Sequence, residues 1–254
     1  MVTLTLPRLH WGETTSERTA LMIHGLGSSA QTCWQVMEAL AADGWSATAV
    51  DLRGHGLAPR ASTYSIADFA HDVKAVHPES TPSWDVVIGH SIGAACAVVA
   101  SSLEPTWAER LVLIDPALAL DDETRNQVLE NQRAGHLRQG VDEVAALNPH
   151  WHPQDVQLKV SSNRAASLYA LEHAVMDNDP WDVTNYAHSL SIPTHVLGAE
   201  ATLGSMFYGS YAEDMLATNS QVSYEVIAGS GHSVHRDKPA ETIAALRAFL
   251  ARTL

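Results

Sequence analysis

Short apolar runs alternate with helical patterns along this chain. Six runs read as strands: Ala20–Ile23, Ala47–Val50, Val86–Ile88, Leu111–Ile114, His195–Leu197 and Tyr224–Ile227. Most are β-branched and bounded by Gly, Pro or Asp, as strands buried on both faces are. Thr3–Leu6 alternates with period two and reads as an edge strand. Ser65 caps a helix whose Ile66, Phe69, Ala70, Val73 and Val76 recur at helical spacing. Ile92–Ser102 is a helix of small residues, apolar almost all round, which predicts burial. Ala240–Leu254 sets Ile243, Leu246 and Leu250 on one stripe behind Pro239. Strand alternating with helix predicts a parallel sheet covered on both faces.

One segment breaks the rhythm. Residues 117–191 hold no convincing buried strand and are helical and polar, with Asp121-Asp122-Glu123, the stretch Asn148 to Pro153, and Asp179-Pro180-Trp181. The segment reads as a helical lid inserted between two sheet strands. Residues 1–116 and 192–254 then form the core, and Pro193 restarts the sheet.

Composition narrows the classes. The 254 residues carry 15 basic and 29 acidic side chains, a net charge of −14. That argues against nucleic acid or an anionic membrane as partner, since Lys and Arg carry phosphate binding. Two cysteines, Cys33 and Cys96, make no disulfide scaffold. No apolar stretch opens the chain as a signal peptide would, and the run Ala94–Ala100 is far short of the ~20 residues of a membrane helix. The expectation is a soluble, cytoplasmic protein. Its oligomeric state is not legible.

The chemistry lies in the motifs. Gly89-His90-Ser91-Ile92-Gly93 follows an apolar strand and precedes a small-residue helix, the setting of a nucleophile elbow. The sharp turn lifts the Ser91 hydroxyl clear at the carboxyl end of the sheet, where open α/β sheets bind ligands. A serine needs a base to take its proton. Among 14 histidines, His232 follows a strand and the turn Ala228-Gly229-Ser230-Gly231, just before the last helix. His235 shares that loop and is the rival. His90 lies in the elbow but projects away from the serine. His150 and His152 flank Trp151 without a carboxylate or cysteine at ligand spacing, so no metal site is expected. The loop His24-Gly25-Leu26-Gly27-Ser28-Ser29 follows the first buried strand. Its glycines let the Leu26 amide face the same point as the Ile92 amide, a pair of donors for an oxyanion.

These motifs, with Asp51-Leu52-Arg53-Gly54-His55-Gly56 and Gly231-His232, resemble the α/β-hydrolase superfamily over nearly the whole chain. The resemblance implies a mostly parallel sheet flanked by helices with an inserted lid. It also implies an ester-, lactone- or thioester-type hydrolase needing no metal or organic cofactor. The Asp51–Gly56 loop is then a structural signature without a catalytic role. Epoxide hydrolases and haloalkane dehalogenases of this fold carry aspartate where this chain has Ser91. C–C bond hydrolases and lyases are relatives using the same triad.

The third member of the triad departs from the pattern. The family usually spells it Gly-x-x-Asp after the penultimate strand; here that stretch is Gly198-Ala199-Glu200-Ala201. Glu200, one residue early and one methylene longer, is preferred. Asp115, at the end of Leu111–Ile114, is the alternative, since a minority of the family places its acid there. Alanine at 201 also leaves open a ligand-binding pseudoenzyme.

Trp34, Trp151, Trp181 and Met206 are candidates to line an apolar pocket over Ser91. No Lys or Arg cluster suggests a phosphate-bearing substrate, although Arg53 or Arg125 could meet a carboxylate. The reading is a hydrolase of a small-molecule ester or lactone with an apolar acyl or ring portion, neutral in preference to anionic.

Overall fold

Five-residue strands with no polar alternation need cover on both faces, and the chain supplies it with helices. The structure is a computed structural model and describes residues 2–253. Its strands are β1 (Arg8–Trp11), β2 (Thr19–Ile23), β3 (Ser46–Val50), β4 (Val86–His90), β5 (Leu111–Ile114), β6 (Ala119–Leu120), β7 (Trp181–Asp182), β8 (Thr194–Gly198) and β9 (Val222–Val226). Seven of them form one sheet in the order β1-β3-β2-β4-β5-β8-β9. All neighbours are parallel except β1, which runs antiparallel to β3. Strands β2 to β5 and β8 are buried at every residue.

The helices are α1 (Trp34–Ala42), α2 (Ile66–Lys74), α3 (Ile92–Leu103), α4 (Asp122–Leu137), α5 (Val141–Leu147), α6 (Pro153–Ala165), α7 (Leu168–Met176), α8 (Thr184–His188), α9 (Gly209–Thr218), α10 (Val234–Asp237) and α11 (Pro239–Thr253). One face of the sheet carries α2 and α3, whose Phe69, Val73, Cys96 and Val99 join Leu21, Val87 and Leu113 in a common core. The other carries α1 and α11, whose Met37, Leu40, Leu246 and Phe249 meet Met22, Ile88 and Val112. Ser65 caps α2 through a reciprocal capping box with Asp68. The small residues of α3 let it lie against the sheet, all but two of its twelve residues being buried.

Two strand expectations change. Thr3–Leu6 forms no strand: the Leu4 amide is taken by the Asp72 carboxylate at 2.7 Å, and the edge pairing begins only after Pro7, at Arg8. The last strand is not buried but is the far edge of the sheet, with Tyr224 and Val226 37% and 45% exposed, because only β8 flanks it. The helix α1 was not legible from periodicity. The expected final helix is present, with Leu254 lying outside the described residues.

Between β5 and β8 the chain leaves the sheet. β6 and β7 pair antiparallel, Ala119 with Asp182 and Leu120 with Trp181, so the excursion departs and returns side by side. It holds α4 to α8, and α4 buries none of its residues. Side-chain hydrogen bonds fasten it to the sheet unit: Trp34 and Gln35 to Asp155, Ser29 to Ser162, and the Tyr64 and Ile66 amides to Asp177 and Asn178.

Where α3 crosses β2, Gly93 has no room for a side chain. A Cβ there would stand 2.4 Å from the Ile23 carbonyl oxygen and 2.6 Å from that of His24. Backbone atoms cannot rotate away, so Gly93→Ala should lower stability by about 3 kcal/mol, the upper end for overpacking, as read by urea unfolding.

Candidate active site

The turn from β4 into α3 sets the serine. Ser91 has φ 56° and ψ −120°, a left-handed backbone that a non-glycine residue adopts only when its surroundings impose it. Its amide donates to the Ile114 carbonyl at 3.0 Å, and its carbonyl accepts from Ala94 and Ala95. The side chain is thereby fixed above the carboxyl edge of the sheet. Gly25 of the facing loop comes so close that a Cβ there would lie 2.6 Å from the His90 ring.

His232 reaches the serine from the loop after β9, its Nε2 lying 2.9 Å from Ser91 Oγ. Its Nδ1 lies 2.6 Å from Asp115 Oδ2. The acid expected at Glu200 is therefore corrected to the alternative, Asp115. Glu200 is partly exposed and accepts from the Gly229 amide and the Thr202 hydroxyl, both at 2.9 Å, and makes no bond to the imidazole. Asp115 is fully buried, with a left-handed φ of 39°. Besides His232 it accepts from Ala199 N, Ser205 Oγ and Met206 N. Burial alone would raise its carboxyl. The hydrogen bond and charge of His232, with the Ser205 and Met206 donors, outweigh burial and hold it below the usual range. The loop after β8 thus supplies donors to the acid rather than the acid itself, and alanine at 201 leaves no gap.

The facing loop is held by two neutral imidazoles. His24 Nδ1 donates to the Gly25 carbonyl and its Nε2 accepts from the Leu52 amide. His55 Nδ1 donates to the Arg53 carbonyl and its Nε2 accepts from the Gly27 amide. Asp51 accepts from Ala30 N and Leu57 N. The Asp51–Gly56 stretch therefore acts as a clamp on the loop that carries Leu26. The amides of Leu26 and Ile92 make no hydrogen bond within the protein among the described residues.

Ser91, His232 and Leu26 open into a cavity of about 430 Å³. Trp151, Trp181 and Met206 are among the residues that line it. Trp34 does not: its indole donates to Asp155 at 2.9 Å and its ring lies against His152, which caps α6, so it anchors the helical segment. The expected rival His235 is buried against His90 and makes no bond to the serine. His90 does not simply project away. It lines the cavity and donates from Nε2 to the His232 carbonyl at 2.9 Å, which holds the His232 backbone.

The cavity also contains two cations that sequence reading passed over, Lys159 and Arg236. They lie far apart in the chain, so no cluster signalled them. Arg53 and Arg125 are spent elsewhere, Arg53 on Asp72 and Arg125 on Asp179 and Asp122.

A strained serine after a central parallel strand, facing an imidazole and a buried carboxylate, defines an α/β fold with a hydrolase-type nucleophile elbow. The Alpha/beta hydrolase family matches residues 20–246, and the chain belongs to it. It is 25% identical over 249 residues to Esterase YbfF of Escherichia coli (strain K12), covering 91% of this chain and 92% of that one. It is 25% identical over 236 residues to Lipase LipV of Mycobacterium tuberculosis (strain ATCC 25618 / H37Rv), covering 80% and 82%. The crystal structure of E-2-(acetamidomethylene)succinate hydrolase shares the fold, with a TM-score of 0.85 at 21% identity over 98% of this chain and 96% of that one. The names of these relatives support hydrolase activity. No helix among the described residues is long and apolar enough to cross a membrane.

The clamp histidines make stability depend on pH. Burial, with the nearby positive charges of Arg236 and Lys159, lowers His24 to about 4; burial and the neighbouring His24 lower His55 to about 3. Unfolded, both take up protons near 6.5. Below that pH the unfolded chain binds more protons, so stability falls as pH falls toward 4, by about 3 kcal/mol for His24 alone. The melting temperature should drop across pH 6.5 to 4, with a shallower slope in His55→Gln.

Proposed function

We propose that this protein is a serine hydrolase that cleaves a carboxylic ester or lactone through an acyl-enzyme. The observation that carries the reading is the continuous line from Ser91 Oγ through His232, at 2.9 Å and 2.6 Å, to the fully buried Asp115. His232 Nε2 takes the hydroxyl proton as Ser91 attacks the carbonyl carbon. Asp115 holds Nδ1–H and stabilises the imidazolium formed. The oxyanion is received by the free amides of Leu26 and Ile92, each such donor contributing about 2.7–4 kcal/mol. His232 then returns its proton to the leaving alkoxide, and the alcohol departs. Water, activated by the same imidazole, attacks the acyl-enzyme and releases the acid.

The helical segment 117–191 is the lid in this reading. Trp181, Met206, Leu120 and Val128 supply an apolar wall for the acyl or ring portion. The names esterase and lipase borne by the full-length relatives support an ester as the bond cleaved.

A fluorophosphonate should label Ser91 stoichiometrically, and p-nitrophenyl butyrate should turn over, with both lost in Ser91→Ala. Folded protein that fails to label would end the serine-nucleophile reading. Labelling with slow ester turnover but rapid cleavage of a diketone would assign a C–C bond hydrolase. Asp115→Asn should lower kcat by about 10³–10⁴-fold, whereas Glu200→Ala should change kcat by less than about twofold. The reverse order in steady-state kinetics would return the acid to Glu200.

A further inference from the structure

The expectation of a neutral substrate rested on the lack of a basic cluster, and the folded chain builds one. Arg236, on α10, is 4% exposed. Its Nη2 donates to Ser28 Oγ at 2.6 Å, while its Nε is buried with no partner. Trp151 stacks on the guanidinium at 5.0 Å. Lys159, part-buried on α6, donates to the Gly27 carbonyl at 2.7 Å. Gly27 and Ser28 adjoin in the loop that carries Leu26, so both cationic heads rest on one wall of the cavity, beside the oxyanion donors.

Neither cation has a carboxylate within 4 Å among the described residues. The nearby acids are engaged elsewhere. Asp155 accepts from Trp34 and Gln35, and Asp237 accepts from Trp151 and the Gly231 amide. The charges of Asp155 and Asp237 reach Arg236 only at a distance, and two like charges withdrawn from water with no carboxylate in contact are costly to hold. The strain shows in Lys159, which burial and the repulsion of Arg236 and Arg138 lower to about 7. A purely structural arginine is ordinarily matched by an acid, as Arg53 is by Asp72 in this protein. The two cationic heads together suit an anionic ligand group. A carboxylate suits them in size, with two acceptor oxygens for a fork of guanidinium donors and an ammonium.

We propose that Arg236 and Lys159 form a carboxylate-binding subsite, so that the substrate is an ester bearing a free carboxylate. This rests on the serine hydrolase reading above. The apolar wall of Trp181 and Met206 then holds the hydrocarbon body while the charged end lies against the oxyanion loop.

Two matched ester series test it. Monoethyl esters of succinate, glutarate and adipate place the charge on the acyl side. O-acetyl esters of glycolate and 3-hydroxypropionate place it on the alcohol side. Each is run against its neutral methyl ester. The wild type should favour at least one charged series in kcat/KM by about ten- to a hundredfold, the worth of a hydrogen bond to a charged group. In Arg236→Gln and Lys159→Gln that ratio should fall toward one, chiefly through KM. Binding of the free succinate, glutarate and adipate dianions, by calorimetry on Ser91→Ala, gives a readout independent of catalysis and should weaken about tenfold in S91A/K159Q. Ser91 that labels and cleaves neutral esters as fast as charged ones, with no dianion binding at millimolar concentration, overturns the subsite and leaves the hydrolase standing. Ser91 that fails to label while dianions bind through Lys159 overturns the hydrolase and leaves the subsite.

Discussion

A carboxylate with no solvent exposure keeps its charge only if protein donors replace its water. Asp115 meets that condition with donors from three places: the Ala199 amide at the end of β8, Ser205 and Met206 in the following loop, and His232 in the loop after β9. Removing one hydrogen-bond partner from such a buried group costs about 1–3 kcal/mol, so the group binds the carboxyl ends of β5, β8 and β9 into one unit. Its strained backbone is tolerated because the same bonds over-determine it. The imidazole orientation over Ser91 follows from this, since Asp115 fixes Nδ1 and His90 fixes the His232 carbonyl.

The opposite side of the cavity is organised on the same principle, with two neutral imidazoles and a carboxylate. His24, His55 and Asp51 turn side-chain atoms toward the backbone amides of Leu52, Gly27, Ala30 and Leu57. A glycine-containing loop has little side-chain packing of its own, and these bonds supply the rigidity it lacks. The Leu26 amide is thereby carried on a loop that these bonds hold, without a hydrogen-bond partner of its own among the described residues. Preorganised donors of this kind stabilise charge as it develops without having to reorient.

The helical segment above the sheet is tied down both by apolar contact, Leu118, Ala174, Val175, Trp181 and Ala187 joining the core of one sheet face, and by polar groups. Asp155 gathers Trp34 and Gln35, and Lys159 meets the Gly27 carbonyl. A separate, small apolar cluster of Val144, Val156 and Val160 joins α5 to α6. Side chains that fasten the segment thus also shape the cavity, which is why Trp34 serves as an anchor while Trp151 and Trp181 form walls. In the proposed chemistry the same segment supplies one of the two cations facing the substrate.

The sheet was legible in the sequence because each buried strand is a short apolar run with turn residues at its ends. The meeting of Ser91 and His232 was legible because the roles proposed for them demand local geometry: a turn tight enough to need Gly93, and a glycine-rich turn before the last helix. The edge position of β9 was not, since an apolar run does not say how many neighbours it will have. That Asp115 and not Glu200 lies against the imidazole was decided only by the tertiary structure. Both stand at strand ends on the same edge of the sheet, and what separates them is which carboxylate the loops bury beside the imidazole. The pairing of Lys159 with Arg236 was hidden for the same reason. A cluster assembled from α6 and α10 leaves no spacing in the chain, because its residues are neighbours only after the helical segment has folded back across the sheet.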